Sequence, residues 1–186
     1  MKYLSNLSLF VLLFGFAFLS QPLFSQTNSP LIGYDRFKWE ETLDNVKKVY
    51  PSLVEENSDD SSYGVRQFVQ KNVGNGIEDR TFYFLNNKLY RVYVNYGTKD
   101  FSYLEPMIQK LVEIYGKFDD TGETPSGNMT IYFFTWNYNT NLSIQLRAGL
   151  PRNQSRIILG CNYSNPKTLE QIKELQNKSK REQLGL

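Results

Sequence analysis

The chain has 186 residues, with 21 Lys plus Arg against 19 Asp plus Glu, one cysteine and no histidine. The missing histidine excludes Ser-His-Asp and Cys-His catalysis and every His-ligated zinc, iron or copper site, and one cysteine excludes an internal disulfide. A formal charge of +2 gives no reason to expect nucleic acid, which favours a basic patch or stripe.

The first element in chain order is the apolar run Leu9 to Leu19, preceded by Lys2 and followed by the small residues Ser20 and Ser25. It reads as a secretory signal peptide over residues 1–25, because the run is shorter than the ~20 apolar residues of a spanning helix. No cysteine stands near the cleavage site to take a lipid. The expectation is a bacterial protein, periplasmic or secreted, with no stable membrane insertion after cleavage. Loss of Lys2 leaves 20 − 19 = +1 for residues 26–186. That length suffices for one domain with a sizeable core, and Cys161, after "RIIL", reads as a small buried hydrophobe.

A helix is predicted from Phe37, with Trp39, Leu43, Val46 and Val49 at helical spacing, ending at Tyr50 because Pro51 disfavours helix there. An acidic loop, "SLVEENSDDSSYG", precedes three strands: Val65–Val73, Arg80–Leu85 and Lys88–Tyr96. A second helix spans about Tyr103–Tyr115 and stops at Gly116. The acidic loop "KFDDTGETPSGN" then leads to the strands Thr130–Asn137, Leu142–Arg147 and Arg156–Asn162. Asn165 and Pro166 open a last helix, about 166–182. This order predicts an α+β fold. Two α-β-β-β repeats, about 37–97 and 98–163, form an antiparallel sheet with helices packed on one face, plus the C-terminal helix. An offset of 65 lays Val46, Val49, Tyr50 and Leu53 on Leu111, Ile114, Tyr115 and Phe118, and Phe68 on Phe133.

The second half carries Leu111, Tyr115-Gly116-Lys117, Trp136, "LSIQL" and "RIILGCNY". With those segments it resembles small bacterial exported domains in which a Tyr-Gly-Lys helix end precedes a three-strand meander. The tandem plan is similar to beta-lactamase inhibitor proteins and, more loosely, to small outer-membrane assembly lipoproteins. The chain departs from the lipoproteins in lacking their cysteine and their Gly-Met-Thr entry, where "KWEETLDNV" stands. The resemblance implies an architecture and carries no site residues.

Strand alternation assigns the faces. With Asn139-Thr140 as a two-residue loop, Ile131, Phe133, Thr135, Leu142, Ile144 and Leu146 form a core face. Tyr132, Phe134 and Trp136 then point out beside Arg147. A three-residue loop at Asn86-Asn87 puts Phe82, Phe84, Tyr90, Val92 and Val94 on the core face and Tyr83, Arg91 and Tyr93 outside; a two-residue loop regroups them. The seven outward residues are of types enriched at binding hot spots, and they predict a non-enzymatic module that binds a protein partner or its own copy. The alternative is that this face is also covered, by the last helix or the acidic loops. A different class is a hydrolase working through carboxylates alone on an extracytoplasmic polymer. Asp120-Thr121-Gly122 matches the aspartic-protease triplet but occurs once and follows no apolar strand. The acidic loops lack the spacing of a calcium site. No catalytic residue, metal or cofactor is expected.

Export is testable by intact mass. Protein from its own host is expected to begin within a few residues of Gln26, and a species that keeps Met1 to Ser25 refutes the signal-peptide reading.

Overall fold

The structure, a computed structural model, describes residues 33–152 and 154–183; the expected signal peptide lies outside them. The chain opens with a two-stranded hairpin, β1 (Gly33–Tyr34) and β2 (Phe37–Lys38). Gly33 is required there, since a Cβ would lie 1.9 Å from the Phe37 carbonyl oxygen. The first helix is therefore shorter than its apolar spacing suggests. It is α1, Leu43–Val49, capped by Thr42, whose side chain accepts from the Asn45 N–H. Upstream, the Glu40 N–H donates to Leu89 O, and the Leu89 N–H donates to Glu41 O. These bonds draw residues 40–42 into extended pairing and leave them unable to join the helix.

Next come β3 (Val54–Glu56), a 3-10 turn (Ser61–Tyr63), β4 (Val65–Gly74), β5 (Ile77–Leu85) and β6 (Lys88–Asp100). A second 3-10 turn (Phe101–Tyr103) leads into α2, Leu104–Tyr115, which Gly116 ends at φ 82°. Then follow β7 (Asp120–Ser126), β8 (Met129–Asn139), β9 (Leu142–Pro151), β10 (Arg156–Ser164) and α3 (Pro166–Gln183). Asn165 caps α3 by accepting from the Lys167 N–H at 3.1 Å. The fold is mixed α+β, as its element order suggests.

Eight strands, all antiparallel, form one sheet in the order β3-β4-β5-β6-β10-β9-β8-β7. Six were expected. The additional two, β3 and β7, are the sheet's edges, and both come from the stretches read as acidic loops. On one face, Leu43 and Val46 of α1 and Leu104, Ile108 and Leu111 of α2 join a core with Phe82, Val92, Val94, Leu146, Leu159 and Cys161. On the other face, Ile172 of α3 forms a smaller cluster with Val65 and Tyr90. The C-terminal helix thus covers part of the face opposite to the first two.

Two β-bulges set the faces. At the first hairpin the turn is the two-residue Asn86-Asn87, both at positive φ (49° and 64°), as a type I′ turn needs. Phe84 pairs with Leu89, then the register shifts, so that Tyr83 pairs with Arg91 and Phe82 with Val92. Phe82, Phe84, Val92 and Val94 accordingly lie in the main core, joined by Leu89 in place of Tyr90. Tyr83, Arg91 and Tyr93 share the opposite face. At the second hairpin the turn is Thr140-Asn141, with a register shift between Asn137 and Asn139. Trp136 faces Ile144, Phe134 faces Leu146 and Tyr132 faces Ala148. This is one residue away from the expected register, and a slip of one residue exchanges the faces of a strand. Tyr132, Phe134 and Trp136 therefore stand on the core side, and Ile131, Phe133 and Thr135 stand beside Arg147. The Trp136 ring is 1% exposed, meets Phe118 edge-on and donates its N–H to the Gly116 carbonyl at 2.8 Å. That bond joins β8 to the end of α2.

The same slip marks the offset of 65. It matches buried Leu43 and Val46 of α1 with buried Ile108 and Leu111 of α2. In the strands, however, it lays Phe68, a core residue, on Phe133, which points away from the core. An offset of 66 brings Phe68 onto Phe134, which packs on the core.

Truncation of Trp136 measures the corrected register. Trp136→Ala is expected to cost about 3–5 kcal/mol and Ile144→Ala about 2–5 kcal/mol, read as shifts of urea midpoint. A Trp136→Ala loss below about 1 kcal/mol would place the indole outside the core.

Candidate functional site

The face opposite α1 and α2 holds the residues with most to offer a ligand. Antiparallel pairing arranges them in cross-strand rows. One row runs Thr81, Tyr93, Asn162, Gln145 and Thr135 across β5, β6, β10, β9 and β8; the next runs Asp79, Asn95, Gly160, Arg147 and Phe133. Arg91 stands on β6 at the adjoining row, opposite Ser164. Alternation on each strand sends these side chains to the same side of the sheet.

Gly160 gives this surface its shape. A Cβ there would lie 2.2 Å from the Tyr93 hydroxyl oxygen and 2.6 Å from Cζ, so the Tyr93 ring lies across β10 in space that only glycine leaves. A glycine inside a strand commonly marks such a close approach. Gly122 on β7 plays the same part for Phe133, whose Cζ would be 2.6 Å from a Cβ.

The two arginines converge on Tyr93. The Arg91 guanidinium lies 4.5 Å from the Tyr83 ring centroid, and its Nε–H donates to Asn162 Oδ1 at 3.0 Å. Arg147 pairs with Gly160, the residue that the end of the Tyr93 ring reaches. Burial pushes the Tyr93 phenol above its ordinary pKa; Arg147 and, more weakly, Arg91 oppose this by favouring the phenolate. Both arginines are half-buried, and neither forms an ion pair with a carboxylate among the described residues. By contrast Arg66 grips Glu55 through Nε and a terminal nitrogen at 2.7 and 2.8 Å, and Arg156 pairs with Asp100. On this face Asp79 accepts from Asn95 Nδ2 at 2.8 Å, and Asp60 acts electrostatically on Tyr83 and Tyr90.

Of the seven residues predicted to bind, the structure gathers Tyr83, Arg91, Tyr93 and Arg147 on this face. Tyr132, Phe134 and Trp136 belong to the opposite one. Sequence reasoning missed Asn162, which orients Arg91, and Gly160, which seats Tyr93; the glycine inside "RIILGCNY" was the available signal. Asp120-Thr121-Gly122 sits on the edge strand β7, where Gly122 serves the Phe133 ring. The acidic stretches are engaged in structure: Glu56 with Lys71 at 2.9 Å, and Asp60 with Gln176 of α3 at 2.7 Å. Among the described residues no group of three or more Cys, Asp or Glu is gathered as a metal site would require, and no helix is long and apolar enough to cross a membrane. No known protein family, curated protein or solved structure matches the chain.

The seating of Tyr93 is open to a double-mutant cycle. Gly160→Ala is expected to cost about 1–3 kcal/mol by overpacking. In a Tyr93→Ala background the same change should be neutral or stabilising by about 0.5–1 kcal/mol, since alanine loses less entropy than glycine in a strand. Equal costs in the two backgrounds would show that the ring is not seated on the glycine.

Proposed function

We propose that the protein is an exported, non-enzymatic binding or assembly module whose recognition surface is the sheet face bearing Tyr83, Arg91, Tyr93 and Arg147. The observation that carries this reading is a half-buried cluster of Arg91, Tyr93 and Arg147 at the centre of the sheet, beside the apolar contacts that α3 makes around Tyr83. The apolar contacts of α3 are confined to the cluster of Val65, Tyr90, Tyr83 and Leu85. Beyond them the floor formed by β6, β10, β9 and β8 consists of half-buried Tyr93, Asn162, Gln145, Arg147, Phe133 and Thr135. Tyrosine and arginine are the side chains that most often dominate binding energy. Of the carboxylates in the two acidic stretches, Glu55, Glu56 and Asp60 are held by Arg66, Lys71 and Gln176.

The duplication read from the sequence belongs to the same proposal, in modified form. A unit of one helix and four strands, rather than three, occurs twice, and the sheet order runs outward alike on both sides of the β6–β10 junction. Such a doubled sheet provides a broad central surface.

A photo-cross-linking amino acid at Thr135, on the open face, is expected to give a discrete adduct in the native host. The same group at Lys110, exposed on α2, should give none. The Thr135 adduct should fall at least fivefold when Tyr93→Ala is added. Equal labelling from both positions, no adduct, or an adduct indifferent to Tyr93 would refute this surface.

A further inference from the structure

We propose that the occupant of this face is a short extended peptide segment carrying at least two carboxylates, one for Arg91 and one for Arg147. The inference rests on the recognition reading above and specifies its ligand. Three observations lead to it.

The first is charge. A half-buried guanidinium that no described carboxylate contacts keeps a cost of burial that an incoming carboxylate would offset through short, charge-assisted hydrogen bonds. Arg91 already spends its Nε–H on Asn162, which fixes the plane of its guanidinium and leaves the terminal nitrogens for a ligand. Arg147 has no partner of that kind among the described residues. Two arginines on strands either side of β10 thus offer two separate anion positions with Tyr93 between them.

The second is size. With strands about 4.8 Å apart and about 3.3 Å per residue, the patch from β5 to β8 and from Ile158 to Ser164 covers roughly 19 by 20 Å, or about 400 Å². A standard protein interface buries about 800 Å² on each partner. The patch therefore fits a segment better than the face of a globular protein, and the ring ends of Tyr93 and Phe133 occupy the space over Gly160 and Gly122.

The third is the rim. Asp79 on β5 and Asp120 on β7 flank the arginines on either side. A polyanion laid across the sheet would meet both carboxylates. A segment with a few acids at the right positions would not.

The test uses the protein without its signal peptide and a set of blocked decapeptides. Each carries two Glu, one to four residues apart, in a Ser/Thr/Val/Tyr background, and each has a Gln counterpart; a heparin fragment and a ten-nucleotide single-stranded DNA serve as polyanions. Fluorescence anisotropy is expected to give saturable binding for at least one Glu spacing, at least tenfold weaker for its Gln counterpart. Arg147→Gln should weaken it at least fivefold. Gln145→Glu, which adds a carboxylate to the floor without touching the core, should do the same while the urea midpoint is unchanged. Absence of peptide binding, equal affinity for the Gln peptides, or binding of heparin or DNA as tight as the best peptide would overturn the proposal. If Thr135 still yields its Tyr93-dependent adduct in any of those cases, the recognition surface stands and the acidic ligand alone falls. If both fail, both readings fall together.

Discussion

The pairing of β6 with β10 is the contact on which the rest of the structure depends. These strands run antiparallel over nine matched positions, from Arg156 opposite Asp100 to Ser164 opposite Arg91. They join a sheet half that contains α1 to one that contains α2. Backbone hydrogen bonds fix their register, and register decides which side chains meet on each face. On one face it brings Val94 to Cys161 and Val92 to Tyr163 in the shared core. On the other it brings Tyr93 beside Asn162 and seats its ring over Gly160. One alignment therefore produces both the core and the candidate site. A single interruption, between Leu159 and Gly160, lets the long β6 stay in step with its partner. Where β10 ends, the Asn165 N–H donates to Tyr90 O and residues 40–42 continue the pairing at Leu89, so the centre of the sheet has no exposed edge there.

The core strands were legible in the sequence because their composition and alternation are strong. Every predicted strand lies within an observed one. The edges were not legible, for a physical reason. Val54-Glu55-Glu56 and Asp120 to Ser126 have little strand propensity of their own. They become strands because the outer hydrogen-bonding groups of β4 and β8 accept them. Charge and proline at such positions also suit an edge that should not recruit further chains. The N-terminal helix was overestimated for a related reason. Phe37 and Trp39 have helical spacing to Leu43, yet their backbone is committed to a small hairpin and to pairing near Leu89. Periodicity registers burial and is blind to which backbone partner comes first.

The faces depended on bulges, which side-chain patterns do not reveal. Counting from Asn86-Asn87 with a three-residue loop reached the observed faces beyond Tyr83 although the loop has two residues. The bulge at Tyr90 absorbs the third. The same counting fails at the second hairpin because Tyr138 is bulged out; the turn also lies one residue later, anchored by the Asn141 N–H to Asn139 Oδ1, which by itself would leave the faces unchanged. Hence four of the seven candidate binding residues stand together and three are in or beside the core. A check was available in the sequence. A tryptophan whose N–H is buried usually finds an acceptor, and the carbonyl at the end of α2, at Gly116, is the one Trp136 uses.

The two faces solve different problems with similar side chains. On the core side, aromatic rings pack edge to face against one another, as Phe118 does with Phe134 and Trp136, and their area is removed from water by the helices. On the open side, the ends of the Tyr93 and Phe133 rings fill the space over a glycine of the neighbouring strand, and both residues stay half-buried. Without the Tyr93 ring alanine would be favoured at residue 160, since glycine weakens a strand; with the ring in place a Cβ would lie 2.2 Å from its hydroxyl oxygen. Glycine there gives up strand propensity to seat Tyr93, on the side of the sheet that contributes least to the core. Local sequence choices that give up intrinsic propensity are characteristic of surfaces shaped for binding, and it is on that ground that Gly160, Tyr93 and the two arginines are proposed as one.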